Sequence, residues 1–331
     1  MPSPDTTCPR RTRPQRCTAL LAAAALVLPG AAVAQDAGLQ AARAELSDAL
    51  QTQGYPAFLA SMIGLGNDDA VAGGTMHLRD DIPLELSVSG LSVPFDITFP
   101  TSHWALTLTP IVGYVTTDFG TELDLGSSEL LIESHYRVIA GGLGLGPTLM
   151  RGQFKSSFLV QTALSHVQNN ATFTGPQAKA YDELTREIMF NFSNLNLGYG
   201  ISLPFYYHIP LKYITLDPML RYDARITRAF RGNEAVQSTG SFTHWSTARL
   251  DMWGPAGHLR KWAVRWIWHN AYRRNFGSIR ASLGLKDIWA WDIGFGLSTP
   301  SIPLITEVRA TGGMFVGRDL RGYMYSVSAS F

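Results

Sequence analysis

Cysteine is nearly absent from this sequence, which contains only Cys8 and Cys17. Both lie in an N-terminal stretch that we expect to be cleaved, so the mature chain would have no disulfide, thiolate metal site or thiol nucleophile. Charged residues are also scarce, at 16% of the chain, and the 27 basic residues nearly balance the 26 acidic ones. A chain without a basic excess gives no indication of a nucleic-acid partner.

The N-terminus has the order of segments that is typical of a secretory signal peptide. Four arginines precede an uncharged apolar run over residues 18–28, and a small-x-small cleavage site follows at residues 32–34. The apolar run is shorter than the roughly 20 residues that a spanning helix needs, which disfavours a retained membrane anchor. The sequence therefore predicts a cleaved signal peptide over residues 1–34 and export of a mature chain that begins near Gln35.

From residue 71 onward, apolar and polar residues alternate in short runs separated by turn residues. In the clearest run, Leu216 and Leu220 share one face of the predicted strand, whereas Asp217 and Arg221 share the other. Successive side chains of a strand point to opposite faces, so each run predicts a strand with one apolar and one polar face. Twelve such runs predict an all-β domain over residues 71–331.

The connections between these runs favour a membrane barrel over a soluble β-sandwich, which would also alternate. Short connections are predicted at 204–211, 254–259 and 299–303, and longer, more polar ones at 117–128, 168–186 and 228–240. Outer-membrane barrels typically have short turns on one side of the membrane and longer loops on the other. The prediction is a twelve-stranded antiparallel transmembrane β-barrel with one N-terminal helix.

The end of the chain strengthens this interpretation. Every second residue of the last strand is apolar or aromatic, and the members of this row are Tyr323, Tyr325, Val327, Ala329 and Phe331. This ending resembles the C-terminal signature of bacterial outer-membrane β-barrels. The resemblance implies that the barrel-assembly machinery reads the row as an assembly signal, that outer-membrane lipid surrounds the protein, and that the protein resides in the outer membrane of a Gram-negative bacterium.

Charged residues on the predicted strands fall mainly opposite the apolar faces, which assigns them to the barrel lumen. The candidate lumen charges are Glu133, His135, Arg137, Asp217, Arg221, Asp223, Arg225, Arg249, Asp251, Arg265, Asp292, Glu307 and Arg309. Because both signs are present, they could form ion pairs in a narrow wet interior. The alternative is a pore lining that conducts an ion or a small solute, as in a porin.

One pair of residues raises an enzymatic alternative. His244 and Ser246 share a strand face, and a His-x-Ser pair resembles part of the nucleophile site of outer-membrane phospholipase A. The surrounding Asn-His-x-Ser-Asn-Gly motif of that family is missing, because Thr243 precedes the histidine and Thr247 follows the serine. We therefore predict no catalytic residue, no metal site and no cofactor, with a lipid hydrolase as the alternative.

A helix is predicted over residues 36–53, where apolar residues recur at spacings of three and four. It lies in a segment, residues 35–70, that could plug the lumen, rest on the periplasmic side or remain a tail. A signal peptide, one helix and twelve strands together resemble an autotransporter translocator domain without a passenger, as in the solitary outer-membrane autotransporter β-barrel family. The resemblance implies a narrow or plugged pore or a structural membrane protein. It identifies neither a solute nor an oligomeric state.

Overall fold

The computed structural model describes residues 71–78, 84–92, 94–99, 103–124, 129–232, 240–260, 262–278, 280, 285–298, 306–318 and 320–330. Four predictions lie outside these residues: the signal peptide over 1–34, the segment 35–70 with its helix at 36–53, the short connection at 299–303, and the terminal Phe331.

The described residues form one antiparallel sheet of fifteen strands. From N- to C-terminus the strands are β1 (Val71–Leu78), β2 (Leu84–Ser92), β3 (Phe95–Thr98), β4 (Trp104–Asp124), β5 (Glu129–Arg151), β6 (Phe154–Ser157), β7 (Leu159–Thr174), β8 (Ser193–Tyr207), β9 (Ile209–Pro210), β10 (Thr215–Gly232), β11 (Gly240–Leu259), β12 (Trp262–Gly277), β13 (Asp287–Ser298), β14 (Glu307–Gly317) and β15 (Leu320–Ser330). The all-β prediction is confirmed.

The strand count differs from the predicted twelve because three strands are interrupted beside prolines. The segments β2 and β3 keep one register along β4, and the break between them lies beside Pro110. The segments β6 and β7 likewise share a register along β5 and break opposite Pro147. The break between β8 and β9 lies opposite Pro218 of β10. Proline has no N–H to donate to the neighbouring strand, which accounts for all three interruptions.

The long strands each pair with a strand on either side. The first strand, β1, pairs with β2 and also with the last strand, β15, through eight residue pairs from Val71 with Val327 to Leu78 with Leu320. At the other side of the sheet, β4 pairs with β5, and β7 pairs with β8. The strands also extend further than predicted: β11 includes residues 254–259, and β4 reaches Asp124.

On most strands, side chains alternate between a buried and an exposed face of the sheet. Along β5, Leu130, Ile132 and Val138 are buried, whereas the alternate residues Leu131 and Ile139 are exposed. The exposed face is apolar on most strands, and it includes Leu220 (63% exposed), Ile293 (64%) and Phe295 (62%). A contiguous apolar exterior of this kind requires a partner or a lipid environment.

One helix, α1 (Ala178–Thr185), lies between β7 and β8. Its Tyr181 and Leu184 are buried in a cluster with Leu130, Ile132 and Phe190. The longer connection predicted over 168–186 lies instead over 175–192, because β7 continues to Thr174, and it contains an amphipathic helix that packs on the ends of β5 and β7. We call the ends of the strands on this side of the sheet the helix end. The opposite ends, where Gly152 turns the chain from β5 into β6, are the turn end. No helix among the described residues is long and apolar enough to cross a membrane.

Candidate functional site

The buried face of the sheet is divided into two layers of different polarity. Toward the helix end lies an apolar layer, a single cluster of buried side chains from eight strands and the segments that precede β8 and β13: Val88, Val115, Tyr136, Val138, Ala140, Val167, Phe192, Trp245, Leu285, Ile288, Phe315 and Leu320. Sequence reasoning missed this layer because it assigned the whole interior to polar residues. The available signal was consecutive apolar residues, such as Val138, Ile139 and Ala140, which make both faces of a strand apolar.

Toward the turn end, the buried face carries a polar layer. It contains ten of the candidate lumen charges: Asp217, Arg221, Asp223, Arg225, Arg249, Asp251, Arg265, Asp292, Glu307 and Arg309. The most deeply buried are Asp223, Arg225, Asp292 and Glu307, none of which is more than 7% exposed. These charges lie on the same face because each occupies one of the alternate strand positions whose side chains point to the buried face.

These charges meet in pairs of opposite sign. Arg221 Nε lies 2.8 Å from an oxygen of Asp223, and it donates to Ser202 Oγ at 3.1 Å. An Arg249 Nη lies 2.8 Å from an Asp251 oxygen two residues along the same strand. Because unpaired buried charges are costly, this pairing explains how the interior holds so many of them.

The pairing continues on β12 to β14 and across the sheet. Glu307 accepts from Arg309 at 2.9 Å, and Arg265 approaches the same carboxylate at 3.7 Å. His269, which was not among the candidates, lies 3.0 Å from Asp292. An Nη of Arg225 donates to Gln161 Oε1 at 3.1 Å. The polar layer therefore includes paired side chains of β7, β8 and β10 to β14 on the buried face.

A cavity of about 350 Å³ opens within the polar layer. Asp217 lies on its wall and accepts from Trp253 Nε1 at 2.7 Å and from His208 Nδ1 at 2.6 Å. Lys155 lies on the same wall, with its Nζ 2.5 Å from an oxygen of Asp96. The volume falls in the range of small-molecule sites.

Three candidate lumen charges lie elsewhere, which corrects their assignment. Glu133, His135 and Arg137 are on the exposed face of β5, together with Leu131 and Ile139. His135 contacts Asp118 of β4 on the same face. The prediction failed because both faces of β5 are apolar near this point, so the alternation alone did not show which face is buried.

His244 and Ser246 lie on the exposed face of β11, whereas Trp245 between them is buried. The His244 ring stacks on Phe242 and on Phe276 with 5.0 Å between centroids in each case, and its Nδ1 lies 3.2 Å from the Tyr222 hydroxyl. Among the described residues, no group of three or more His, Cys, Asp or Glu side chains could hold a metal ion.

The candidate assembly signal lies on the exposed face of β15. Tyr323, Tyr325 and Val327 are exposed, and the backbone of Ala329 pairs with Val308 of β14. Phe331 is not among the described residues.

Two titratable groups of the helix region have shifted pKa values. Burial raises the pKa of Tyr181 to about 12. The hydrogen bond from Arg186 to Asp182, one turn earlier, raises the pKa of the Arg186 guanidinium. Both shifts favour the state that each group already has at physiological pH, a neutral Tyr181 and a charged Arg186.

Sequence comparisons identify no relative: no protein-family model matches the chain. No curated protein sequence matches it either.

Solved structures do resemble the chain. The translocator domain of the autotransporter NalP from Neisseria meningitidis is 11% identical, covers 89% of this chain and 98% of its own, and gives a TM-score of 0.51. The β domain of the Bordetella autotransporter BrkA is 12% identical over 80% of this chain and 100% of its own, with a TM-score of 0.47. The transport unit of AIDA-I from Escherichia coli is 10% identical over 82% and 97%, with a TM-score of 0.44. The first of these likenesses shows a shared architecture, and the chain therefore has the fold of the autotransporter translocator domains.

Proposed function

We propose that the chain is an integral outer-membrane β-barrel protein without enzymatic activity, whose interior is closed to solutes. The barrel has twelve membrane-crossing strands, three of which are interrupted. The observation that carries this proposal is the inverted polarity of the sheet, which is apolar on its exposed face and charged on part of its buried face. A soluble β-sandwich has the opposite arrangement, because its apolar face is the one that it buries.

The strand pairings support a closed barrel. Because β1 pairs with both β2 and β15, the first and the last strand of the sheet are joined to each other. Each interrupted strand keeps one register across its break, so β2 with β3, β6 with β7, and β8 with β9 each count as one strand of the barrel. The barrel then has twelve strands, an even number, as in bacterial single-chain barrels. Closure also gives each long strand a partner on both sides, and lipid could not satisfy an unpaired strand edge.

The height of the apolar exterior supports insertion in a bilayer. On β10 the exposed face is uncharged from Leu216 to Ile226, and Arg228 follows. On β5 the uncharged part runs from Pro147 to Ile139, and Arg137 follows. Each part is about 9–11 residues long, which is the length that a tilted strand needs to cross the hydrocarbon core. The charges of Glu133, His135 and Arg137 would then lie beyond the hydrocarbon, at the helix end.

The remaining parts of the proposal extend the sequence predictions. The N-terminal segment would direct export and be cleaved, and the barrel-assembly machinery would read the row from Tyr323 to Phe331. The helix end, with the longest described connection, would face the outside of the cell and the turn end the periplasm, in keeping with the usual placement of long loops.

Two elements could keep the barrel from conducting. One is the apolar layer of the interior, which offers no hydration to a passing ion. The other is the helix predicted over 36–53, acting as a plug. The paired charges of the polar layer favour a closed structural interior over the porin alternative, because opposite charges two residues apart neutralise each other.

Single-channel conductance in a planar bilayer tests this closure. We expect the mature chain to conduct poorly and the variant Trp245→Ala/Phe315→Ala to conduct measurably better, because it removes two large side chains from the apolar layer. The control Trp289→Ala/Phe295→Ala removes the same residue types from the exposed face and should leave conductance unchanged. Opening by deletion of residues 36–56 alone would instead identify the helix as the plug. A large, steady conductance of the unaltered chain would favour the porin alternative.

Hydrolysis of phosphatidylethanolamine vesicles, with and without calcium, tests the enzymatic alternative. We expect no fatty acid release, because a serine nucleophile needs a base and an orienting group, and the His244 ring is stacked on two phenylalanines with Nδ1 facing Tyr222. Release that is lost in Ser246→Ala but kept in Ser241→Ala, a buried-face serine of the same strand, would establish the hydrolase.

A further inference from the structure

The cavity of the polar layer is lined by groups that suit a hydrated ligand. Its lining extends from Gln153 and His208, near the turn end, to Gln161 and Arg221 further along the strands. Hydroxyl and amide groups from several strands contribute to it: Thr107, Thr109, Gln153, Ser157, Gln161 and Ser202. A ligand with several hydroxyl groups would find both hydrogen-bond donors and acceptors along these walls.

The charged part of the lining is more positive than negative. It contains three cations and two carboxylates: Lys155, Arg221, Arg249, Asp217 and Asp251. Two of the cations are paired with carboxylates outside this lining, since Lys155 contacts Asp96 and Arg221 contacts Asp223. The positive members of these two pairs are therefore the ones that face the cavity.

The two carboxylates of the lining are already engaged. Asp217 accepts hydrogen bonds at both oxygens, from His208 Nδ1 at 2.6 Å and from Trp253 Nε1 at 2.7 Å. Asp251 lies 2.8 Å from an Nη of Arg249. A cationic ligand would have to displace one of these partners. An anionic ligand would not, because a guanidinium has five N–H donors and can serve a carboxylate on one side and a ligand on the other.

Two guanidinium groups of the lining lie on neighbouring strands. Arg221 of β10 pairs in register with Thr247 of β11, and Arg249 lies two residues beyond Thr247 on the same face. Long side chains at such diagonal positions are within reach of each other. A single carboxylate in the cavity can therefore contact both arginines.

A buried hydroxyl on β4 independently indicates a ligand. Thr109 lines the cavity and is 6% exposed, and its Oγ1 has no hydrogen-bond partner in the part of the chain that the structure describes. Leaving a buried polar atom without a partner is costly, so nearly all such atoms have one. A ligand oxygen in the cavity would accept the hydrogen bond that this hydroxyl can donate.

We propose that this cavity binds a small hydroxylated carboxylate that enters from the turn end. The carboxylate lies against Arg221 and Arg249, which bind carboxylate oxygens through charge-assisted hydrogen bonds in a fixed, planar geometry. The hydroxyl groups of the ligand contact Thr109 and Gln161. This inference goes beyond the proposed function, and it requires the fold of the sheet rather than the closure of its interior.

Isothermal titration calorimetry of the folded mature chain in a maltoside detergent tests the inference, with D-glucuronate and D-glucose as probes. The two sugars differ in a carboxylate that replaces a hydroxymethyl group. We expect glucuronate to bind at one site and glucose to bind at least about tenfold more weakly, because charge-assisted hydrogen bonds are roughly twice as strong as neutral ones. Equal affinities, or no binding of glucuronate, would overturn the inference.

The variant Arg249→Gln tests the charge of the site. We expect it to lower the affinity for glucuronate at least about tenfold and to leave the affinity for glucose nearly unchanged. The matched control is Arg309→Gln, which removes another buried-face arginine that is paired with an acid two residues away on its own strand, but that lies outside the cavity lining. A similar loss of glucuronate binding in both variants would contradict the proposed site.

The variant Thr109→Val keeps the test independent of the ion pairs. Removing a buried hydroxyl that has no partner should not destabilise the fold, whereas we expect glucuronate to bind about threefold to tenfold more weakly, as for the loss of one hydrogen bond. The control is Thr117→Val on the same strand, because Thr117 is 1% exposed with an unpartnered Oγ1 and lies outside the cavity lining. Equal affinity in these two variants would overturn the inference.

Two further outcomes separate this inference from the proposed closure of the barrel. Glucuronate binding that appears only after deletion of residues 36–56 would overturn the inference for the mature chain, because the chain's own N-terminal segment would then occupy the cavity. A conducting barrel that binds glucuronate as expected would contradict the closure and support the site. Heat-modifiable migration on gels establishes that each variant is folded before its affinity is measured.

Discussion

Leu220→Arg is expected to lower the free energy of unfolding by roughly 2–4 kcal/mol, the cost of an arginine on the lipid-facing side near the bilayer midplane. Leu220 is 63% exposed and lies near the middle of the uncharged exterior of β10. An arginine there has no buried partner and must be taken from water into hydrocarbon. Urea unfolding of the refolded chain in lipid vesicles measures the change.

The matched control moves the same substitution to the membrane boundary. Phe230→Arg lies beyond Arg228 on the same strand, where Phe230 is 52% exposed. We expect a cost of about 0–1 kcal/mol there, because the penalty falls steeply toward the interface. Equal effects at the two positions would show that the exposed face of β10 does not face lipid.

Arg221→Leu is expected to be at least as damaging, at roughly 3–5 kcal/mol, because it leaves a buried carboxylate without its partner. Asp223 is only 2% exposed, and its carboxylate lies 2.8 Å from Arg221 Nε. From the sequence alone, Arg221→Leu is predicted to be far milder than Leu220→Arg, since a lumen-facing charge is expected to be hydrated. The burial of Asp223 reverses that expectation.

A double-mutant cycle in urea separates the two causes. Adding Asp223→Asn to Arg221→Leu removes the stranded charge, so we expect the double variant to recover a large part of the lost stability. The single variant Asp223→Asn should also be destabilised, because the Arg221 guanidinium then loses its nearest carboxylate. Additive effects of the two substitutions would mean that the pair does not interact energetically, despite the short distance.

Prediction from the sequence was most successful where one face of a strand is clearly apolar. On β10, Leu216 and Leu220 lie on the exposed face and Asp217 and Arg221 on the opposite face, as the alternation predicts. On β15, Tyr323 and Tyr325 are likewise exposed. These placements depend only on the two-residue period of a strand, which any register of the neighbouring strands preserves.

The sequence by itself determined the all-β class, the alternating faces and most of the charges that the buried face carries. Only the tertiary structure decided which face of β5 is buried, and it placed Glu133 outside because Tyr136 and Val138 pack into the apolar layer. Only the structure shows that the buried face is apolar toward the helix end and charged toward the turn end. The reason is physical: a strand's own sequence fixes its period, but its neighbours decide which side is enclosed and which charges meet.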